Sequence, residues 1–371
     1  MTAWYSILHF LVDGVCALAM FGSFLPGGHG HTDILVYNFC AFAMQMPLGL
    51  ALDMANLRYR EKEMEIAFAA AVAGVCCTIA GAFVHPSLLG LGNALFHLGG
   101  GLGAIKEDHT RRWEGRGLGV FVAPGAIGLY FGTWIAKQGV WKMVVLGAGV
   151  WMAVICIRLA YLHRKWRKQD TAQIVGSLAA EDCWNGVVWC AVSCLAVVIL
   201  RSYLGMAVSF PWNASFGAGL LAVIALAGGK AAGGFCAARY GFWKTSAVSL
   251  LLAAFCYLFL AIMPVGLAAL FFFNITMPVT LYWMVCMFQS MPGFAFGSLT
   301  FGLFCGFLPG YFGILPQAGA GMVGCVASLL SILFLFCGKT YAGKIGKDPI
   351  KPGSPGIERG FRVCWQGRRK R

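Results

Sequence analysis

An all-α membrane protein with about twelve transmembrane helices is the fold class the sequence predicts, and three observations carry the prediction. Hydrophobic residues make up 59% of the chain and charged residues only 11%, where a soluble domain carries about 25% charged. Mean hydropathy is +0.75. The apolar residues fall into runs of roughly twenty, the length at which a helix crosses the hydrocarbon core, separated by short polar gaps.

The runs cover 4–25, 34–54, 66–84, 87–105, 117–137, 141–162, 184–207, 214–238, 244–263, 266–288, 293–314 and 317–338. The first is apolar from Trp4 to Leu25 apart from Asp13. It lacks a basic stretch ahead of its apolar part, so it is expected to stay in the mature protein and not to act as a signal peptide. The second runs out in Gly49-Leu50-Ala51-Leu52-Asp53 and the basic Arg58, Arg60 and Lys62. The third and fourth follow each other closely, as do the fifth and sixth and the ninth and tenth. The sixth meets the largest basic interruption, His163 to Asp182. The seventh carries Arg201, the eighth ends near Ala238 and Arg239, and the tenth holds Asn274 four residues before Pro278. Residues 339–371 contain ten basic and two acidic residues, a composition that predicts a disordered tail drawn to anionic lipid. The expected units are a six-helix bundle over 1–163, a linker over 164–183, a second bundle over 184–338, and the tail.

A net charge of +14 would suggest nucleic acid in a soluble protein. Here its placement points to the bilayer instead. With an even number of spans, alternate loops lie on the same side as both termini. Those loops and the tail hold 25 of the 28 Lys and Arg residues, leaving Lys137, Lys142 and Arg201 elsewhere. Positive loops stay cytoplasmic, so a multi-pass protein of the plasma membrane (the inner membrane in a bacterium) with both ends inside is expected. The 15 cysteines show no C-x-x-C spacing and read as small apolar filler.

The central interruption divides the spans six and six, which invites a search for an internal repeat. The fifth run reads GVFVAPGAIGLYFG from Gly119 and the eleventh GFAFGSLTFGLFCG from Gly293. Gly119, Gly128, Leu129 and Gly132 then match Gly293, Gly302, Leu303 and Gly306. The second run ends GLALDMANLRYR from Gly49 and the eighth GFCAARYGFWK from Gly234, each with small residues before a basic turn. Asn93 in the fourth run matches Asn274 in the tenth.

With these residues in view, the chain resembles the major facilitator superfamily over about residues 4–338, and its HFLVDG opening and Pro124-Gly125 are similar to fosmidomycin-resistance-type exporters. It departs from the family in lacking the tight Asp-Arg-x-Gly-Arg turn and in placing Ala238 where an acid is often found. The resemblance implies two six-helix bundles related by pseudo-twofold symmetry, rocking about a central site lined by spans 1, 4, 7 and 10. It also implies that Asp53 with Arg58 or Arg60, and Arg239, act as gating contacts that hold one conformation.

Candidate site residues follow from the cost of polar groups in lipid. Asp13 is the one carboxylate well inside an apolar run, and a charge there costs roughly 2.5–3.5 kcal/mol on insertion scales. His9 is four residues away and shares its helical face, so the two are expected to form a protonatable pair coupling solute movement to a proton or sodium gradient. Asn93 and His97 share a face in the same way, ahead of Gly99-Gly100-Gly101. Arg201 is expected either to pair with Asp13, to bind an anion through its planar fork, or to snorkel outward. Asn274 lies where Pro278 frees a backbone carbonyl. Each also has a packing explanation, as do Asn38, Gln45 and Trp283.

No phosphate-binding Gly-x-x-x-x-Gly-Lys-Ser/Thr loop is present, which argues against ATP-driven pumping by this chain. His29 and His31 in a GGHGH segment are a weak metal pair, and neither a metal nor a cofactor is expected. A membrane-embedded enzyme would need a convergent catalytic set that the sequence does not offer. The expected function is therefore secondary active transport of a small solute by alternating access. A non-transporting receptor or assembly protein on the same scaffold is the alternative.

Overall fold

A computed structural model describes residues 1–59, 62–167, 184–314, 316 and 319–345. Arg60, most of the 164–183 linker and the tail beyond residue 345 lie outside the described residues. Twelve helices follow in order: α1 (Thr2–Gly27), α2 (Gly30–Arg58), α3 (Glu63–Val84), α4 (Pro86–Thr110), α5 (Arg116–Ala136), α6 (Trp141–Arg167), α7 (Trp184–Ala207), α8 (Phe216–Tyr240), α9 (Phe242–Leu258), α10 (Met263–Met287), α11 (Pro292–Tyr311) and α12 (Ala320–Ile345). Eleven are long and apolar enough to cross a membrane, and α9 is a shorter apolar helix of 17 residues. Every expected span corresponds to one of them, with no strand among the described residues.

The tight pairs are parted by local chemistry. Pro86 opens α4 directly after the extended His85, whose ring accepts the Ser87 N–H. Pro264 sits in the first turn of α10, where its missing N–H costs nothing, and α9 ends before it. Two helices are irregular within the membrane: α1 has a π-helical stretch at Met20–Phe24 and α2 another at Phe39–Ala43.

The packing repeats with a period of six helices. α1 lies on α5 as α7 lies on α11; α3 on α4 as α9 on α10; α2 on α4 as α8 on α10. Between bundles, α2 crosses α11 and α5 crosses α8, which are the same contact after exchange of halves. The glycines matched in the two repeats make these crossings. A Cβ on Gly49 would fall on the carbonyl of Gly293, and one on Gly234 would fall on that of Gly115, with the Gly119 and Gly234 backbones also in contact. Further along, Gly128 and Gly132 of α5 touch the Phe10 and Gly14 carbonyls of α1, and Gly306 of α11 touches the Ile199 carbonyl of α7. Without side chains at these points, backbones approach closely enough for dispersion to hold helices together in lipid.

Candidate functional site

The interior of the first bundle holds a polar cluster contributed by α1, α4 and α5. Asp13 Oδ1 accepts a hydrogen bond from Asn93 Nδ2 at 2.9 Å. Its other oxygen, Oδ2, lies 3.2 Å from His9 Nε2, and Oδ1 lies 3.7 Å from His97 Nε2. The two imidazoles meet at 2.8 Å, Nε2 to Nε2. Both i, i+4 pairs therefore form as the helical period requires, and the crossing of α1 with α4 brings one pair onto the other. Gly125, just after Pro124, is where α5 touches His9 and Asp13, and a side chain there would displace them. Phe96 and Phe121, both fully buried, stand with their ring centroids 6.2 and 5.0 Å from that of His9 and enclose it.

The backbone decides how the protons are arranged. His9 Nδ1 is 2.7 Å from the Phe121 carbonyl and His97 Nδ1 is 2.9 Å from the Asn93 carbonyl. A carbonyl only accepts, so each Nδ1 carries its hydrogen and each neutral ring presents a lone pair at Nε2. Two lone pairs 2.8 Å apart beside a carboxylate would repel. A proton placed between them would turn the repulsion into a charge-assisted hydrogen bond and offset the charge of Asp13.

These three side chains could also hold a metal ion, since their ligand atoms all lie within 4.8 Å of one another, with carbonyls behind each imidazole as metal-binding histidines usually have. Two nitrogens on one tetrahedral zinc stand about 3.3 Å apart, wider than the 2.8 Å observed. The Asn93 Oδ1 atom is buried with no hydrogen-bond partner, an unsatisfied acceptor at the edge of the cluster.

The other expected residues fall elsewhere. Asp13 and Arg201 form no ion pair among the described residues. Arg201 is half-buried in α7 with Nη1 shielded and without a hydrogen-bond partner. Asn274 is buried and donates to the Leu270 carbonyl of its own helix at 2.9 Å, at the break between the two segments of α10. His31 is bound to α11: its Nδ1 and its carbonyl both engage the Tyr311 hydroxyl, at 2.7 and 3.0 Å.

Of the expected gating residues, Asp53 makes the sharpest contact. Its carboxylate accepts the N–H groups of Gly293 and Phe294 at 2.9 and 2.7 Å, bridging the end of α2 to the positive N-terminus of α11. Arg58 and Arg239 instead lie over the adjacent Tyr59 and Tyr240 rings, each 5.6 Å from the centroid. Ala238 has no side chain to mirror Asp53. Within the first bundle, Asp108 of α4 accepts the N–H groups of Gly115 and Gly117, at 2.6 Å each, at the start of α5. Its neighbour Glu107 accepts from the Thr2 N–H at 2.5 Å and the Thr2 hydroxyl at 2.8 Å, at the start of α1. At this same end Phe296 of α11 lies on Gly101 of α4, and Tyr282 of α10 on Gly115, so the bundles are closed against each other there.

Sequence reasoning missed Asp108 and Glu107 because α4 runs to Thr110, about a turn past the expected end of its apolar run. It also assigned Lys230 to a cytoplasmic loop. Lys230 lies inside α8, more than two turns before its end. Its place after Gly228-Gly229 in a run otherwise apolar was the available signal.

No protein-family model and no curated protein sequence matches the chain. Solved structures do. The chain is similar to a variant of the E. coli fucose:proton symporter FucP, with a TM-score of 0.57 and 11% identity, over 92% of this chain and 98% of that one. FucP in the outward conformation aligns with a TM-score of 0.54 and 12% identity, over 91% and 99% of the two chains. The human organic anion transporter MFSD10 (TETRAN) aligns at 0.62 with 13% identity, over 91% and 98%. Twelve helices in two six-helix halves, glycine-paired crossings between those halves and end-to-end alignment together give this multi-pass membrane protein the fold of the major facilitator superfamily transporters.

Proposed function

We propose that this protein is a secondary active transporter that moves a small solute by alternating access and is driven by protons. The observation that supports the reading is the Asp13–His9–His97 cluster, whose two backbone-bound imidazoles meet beside a buried carboxylate and can share a proton there. Nitrogen lone pairs suit a proton better than sodium, which prefers oxygen ligands. Protonated, the cluster is neutral; deprotonated, it leaves an anion in a low-dielectric interior, so its charge state can bias which face of the protein is open. Asn93 holds Asp13 in place, and Asn274 marks the equivalent position in the second half. Asp53, with Arg58 and Arg239 at the matching helix ends, would stabilise the state closed at the basic end, which the Lys and Arg distribution assigns to the cytoplasm. The fold does not choose the solute, since its neighbours are named for a sugar and for organic anions.

The test uses sealed vesicles containing the purified protein, with proton and sodium gradients imposed separately. Solute accumulation is expected with the proton gradient alone and is expected to vanish in Asp13→Asn, a variant that inserts normally. Transport driven equally by sodium, or untouched in Asp13→Asn, would overturn the coupling.

A further inference from the structure

The polar cluster of the first bundle carries the donor set of a metal site. Its ligand atoms come from two crossing helices. His9 and Asp13 share one face of α1, and His97 of α4 stands one turn after Asn93. Each imidazole is fixed by its own Nδ1–H on a backbone carbonyl, that of Phe121 for His9 and that of Asn93 for His97. Both Nε2 lone pairs therefore face away from those carbonyls and meet beside the Asp13 carboxylate. A hydrogen bond from the second ring nitrogen is what sets the tautomer and the aim of a metal-binding histidine.

The edges of the cluster have the size of a coordination shell. They measure 2.8 Å between the two Nε2 atoms, 3.2 Å from His9 Nε2 to Asp13 Oδ2, and 3.7 Å from His97 Nε2 to Asp13 Oδ1. Ligands of one tetrahedral ion stand about 3.3 Å apart, between the shortest and the longest of these. An ion would spread the imidazoles by about half an ångström and draw His97 toward the carboxylate. His9 and Asp13 are 5% and 7% exposed, while the His97 side chain keeps 12% of its surface open, so the cluster is reached from that side. A side chain at Gly125 would fall on His9 Nε2 and Asp13 Oδ2, and glycine leaves both ligand atoms uncovered. Asn93 is buried and donates from Nδ2 to Asp13, but its own Oδ1 is shielded and has no hydrogen-bond partner. A water held on the ion is a donor of the kind this oxygen lacks.

We infer that His9, Asp13 and His97 form a binding site for a divalent transition-metal ion of the zinc, cobalt or ferrous class. Two imidazole nitrogens and a carboxylate suit these ions, whereas Mg²⁺ and Ca²⁺ take shells of oxygen. Three protein ligands leave a further position open to water. The ion's charge offsets that of Asp13, which a neutral ligand would leave uncompensated in an apolar interior. An ion here takes the two lone pairs that a proton would otherwise bridge, so the one excludes the other. The sequence offers no metal spacing at these positions, because the third ligand arrives only where α1 crosses α4. The site goes beyond the transport reading: its donor set is complete whether the ion is carried or stays.

The experiment titrates Co²⁺ into the purified full chain in lipid nanodiscs, with any affinity tag removed and the protein first stripped by a chelator. Visible ligand-field absorption is expected to saturate at one Co²⁺ per chain, and Zn²⁺ is expected to bleach it where Mg²⁺ and Ca²⁺ do not. X-ray absorption of the Zn²⁺-loaded protein should show a shell of nitrogen and oxygen with imidazole scattering and without sulfur. His9→Phe, His97→Phe and Asp13→Asn are each expected to weaken Co²⁺ binding at least tenfold, and His29→Gln to bind as the parent does. Gel filtration identifies any variant that fails to fold, and the spectra of the unaltered chain decide the matter without it. The inference is overturned if neither Co²⁺ nor Zn²⁺ binds, if sulfur enters the shell, or if Mg²⁺ displaces Co²⁺ as well as Zn²⁺ does. Unchanged binding in all three folded variants would also overturn it, as would loss of binding in His29→Gln, which would move the ion to the GGHGH segment. Proton-driven transport by a chain that binds no metal would end this site and leave the transporter standing. A saturable Co²⁺ site in a chain that moves no solute would do the reverse.

Discussion

At the scale of single residues, buried groups here are interpretable only through their partners. Asp13 alone reads as a liability of a few kcal/mol; in the folded chain Asn93, His9 and His97 surround its two oxygens. His9 with Asp13 and Asn93 with His97 were legible as pairs, because four residues return a helix to the same face. That the pairs meet was not, since nothing local states which face of α1 crosses which face of α4. Asn93→Ala would remove the amide that holds Asp13 Oδ1 and leave a buried acceptor unsatisfied. We expect a loss of about 1–3 kcal/mol, read as a lower unfolding midpoint in detergent, together with weakened proton-driven transport. His97→Phe should keep the volume and the fold but abolish the shared proton. Transport by this variant would then proceed down a solute gradient without any response to pH.

At the scale of helices, the carboxylates at the closed end act on helix termini. Asp53 of α2 holds the N-terminus of α11 across the boundary between bundles, and Asp108 of α4 holds that of α5 within the first bundle. Each loss of a cap is expected to cost about 1–2 kcal/mol. Hydrogen exchange separates the two: Asp53→Ala should speed exchange at Gly293 and Phe294 and leave Gly115 and Gly117 protected, and Asp108→Ala should do the opposite. Gly49→Val probes the same crossing by sterics. Its side chain meets the Gly293 backbone, which has no rotamer with which to yield, so we expect the closed end to open and stability to fall by about 1–3 kcal/mol. The Gly119/Gly293 and Gly49/Gly234 matches were readable as sequence; that each glycine faces the other repeat's partner was not.

At the scale of the whole molecule, the six-helix period makes one contact type serve twice. Where α2 leans on α11, α5 leans on α8, which are the two contacts that the proposed rocking of the halves would use. His31 with Tyr311, and the Tyr130 hydroxyl with the Phe216 carbonyl at 2.6 Å, bridge these same helix pairs at the end opposite Asp53. Labels on α5 and α8 at their two ends should therefore report opposite distance changes when the proton cluster is emptied by raising pH. Orientation is checked separately. A fluorescent reporter that matures only in the cytosol, fused after Arg371, is expected to be bright, and an outward-facing terminus would leave it dark.

Composition, run length and the placement of basic residues determined by themselves that this chain is a twelve-helix membrane protein in two halves, because lipid tolerates so few other solutions for a backbone. The same patterns marked Asp13, His9, Asn93, His97 and Arg201 as polar groups needing a reason. The tertiary structure alone decided which of them meet, that Asp53 and Asp108 hold helix N-termini, and that Lys230 lies inside α8. Those outcomes depend on the angle and depth at which helices cross. Such geometry is set by glycine contacts between segments tens to hundreds of residues apart, and no local periodicity encodes it.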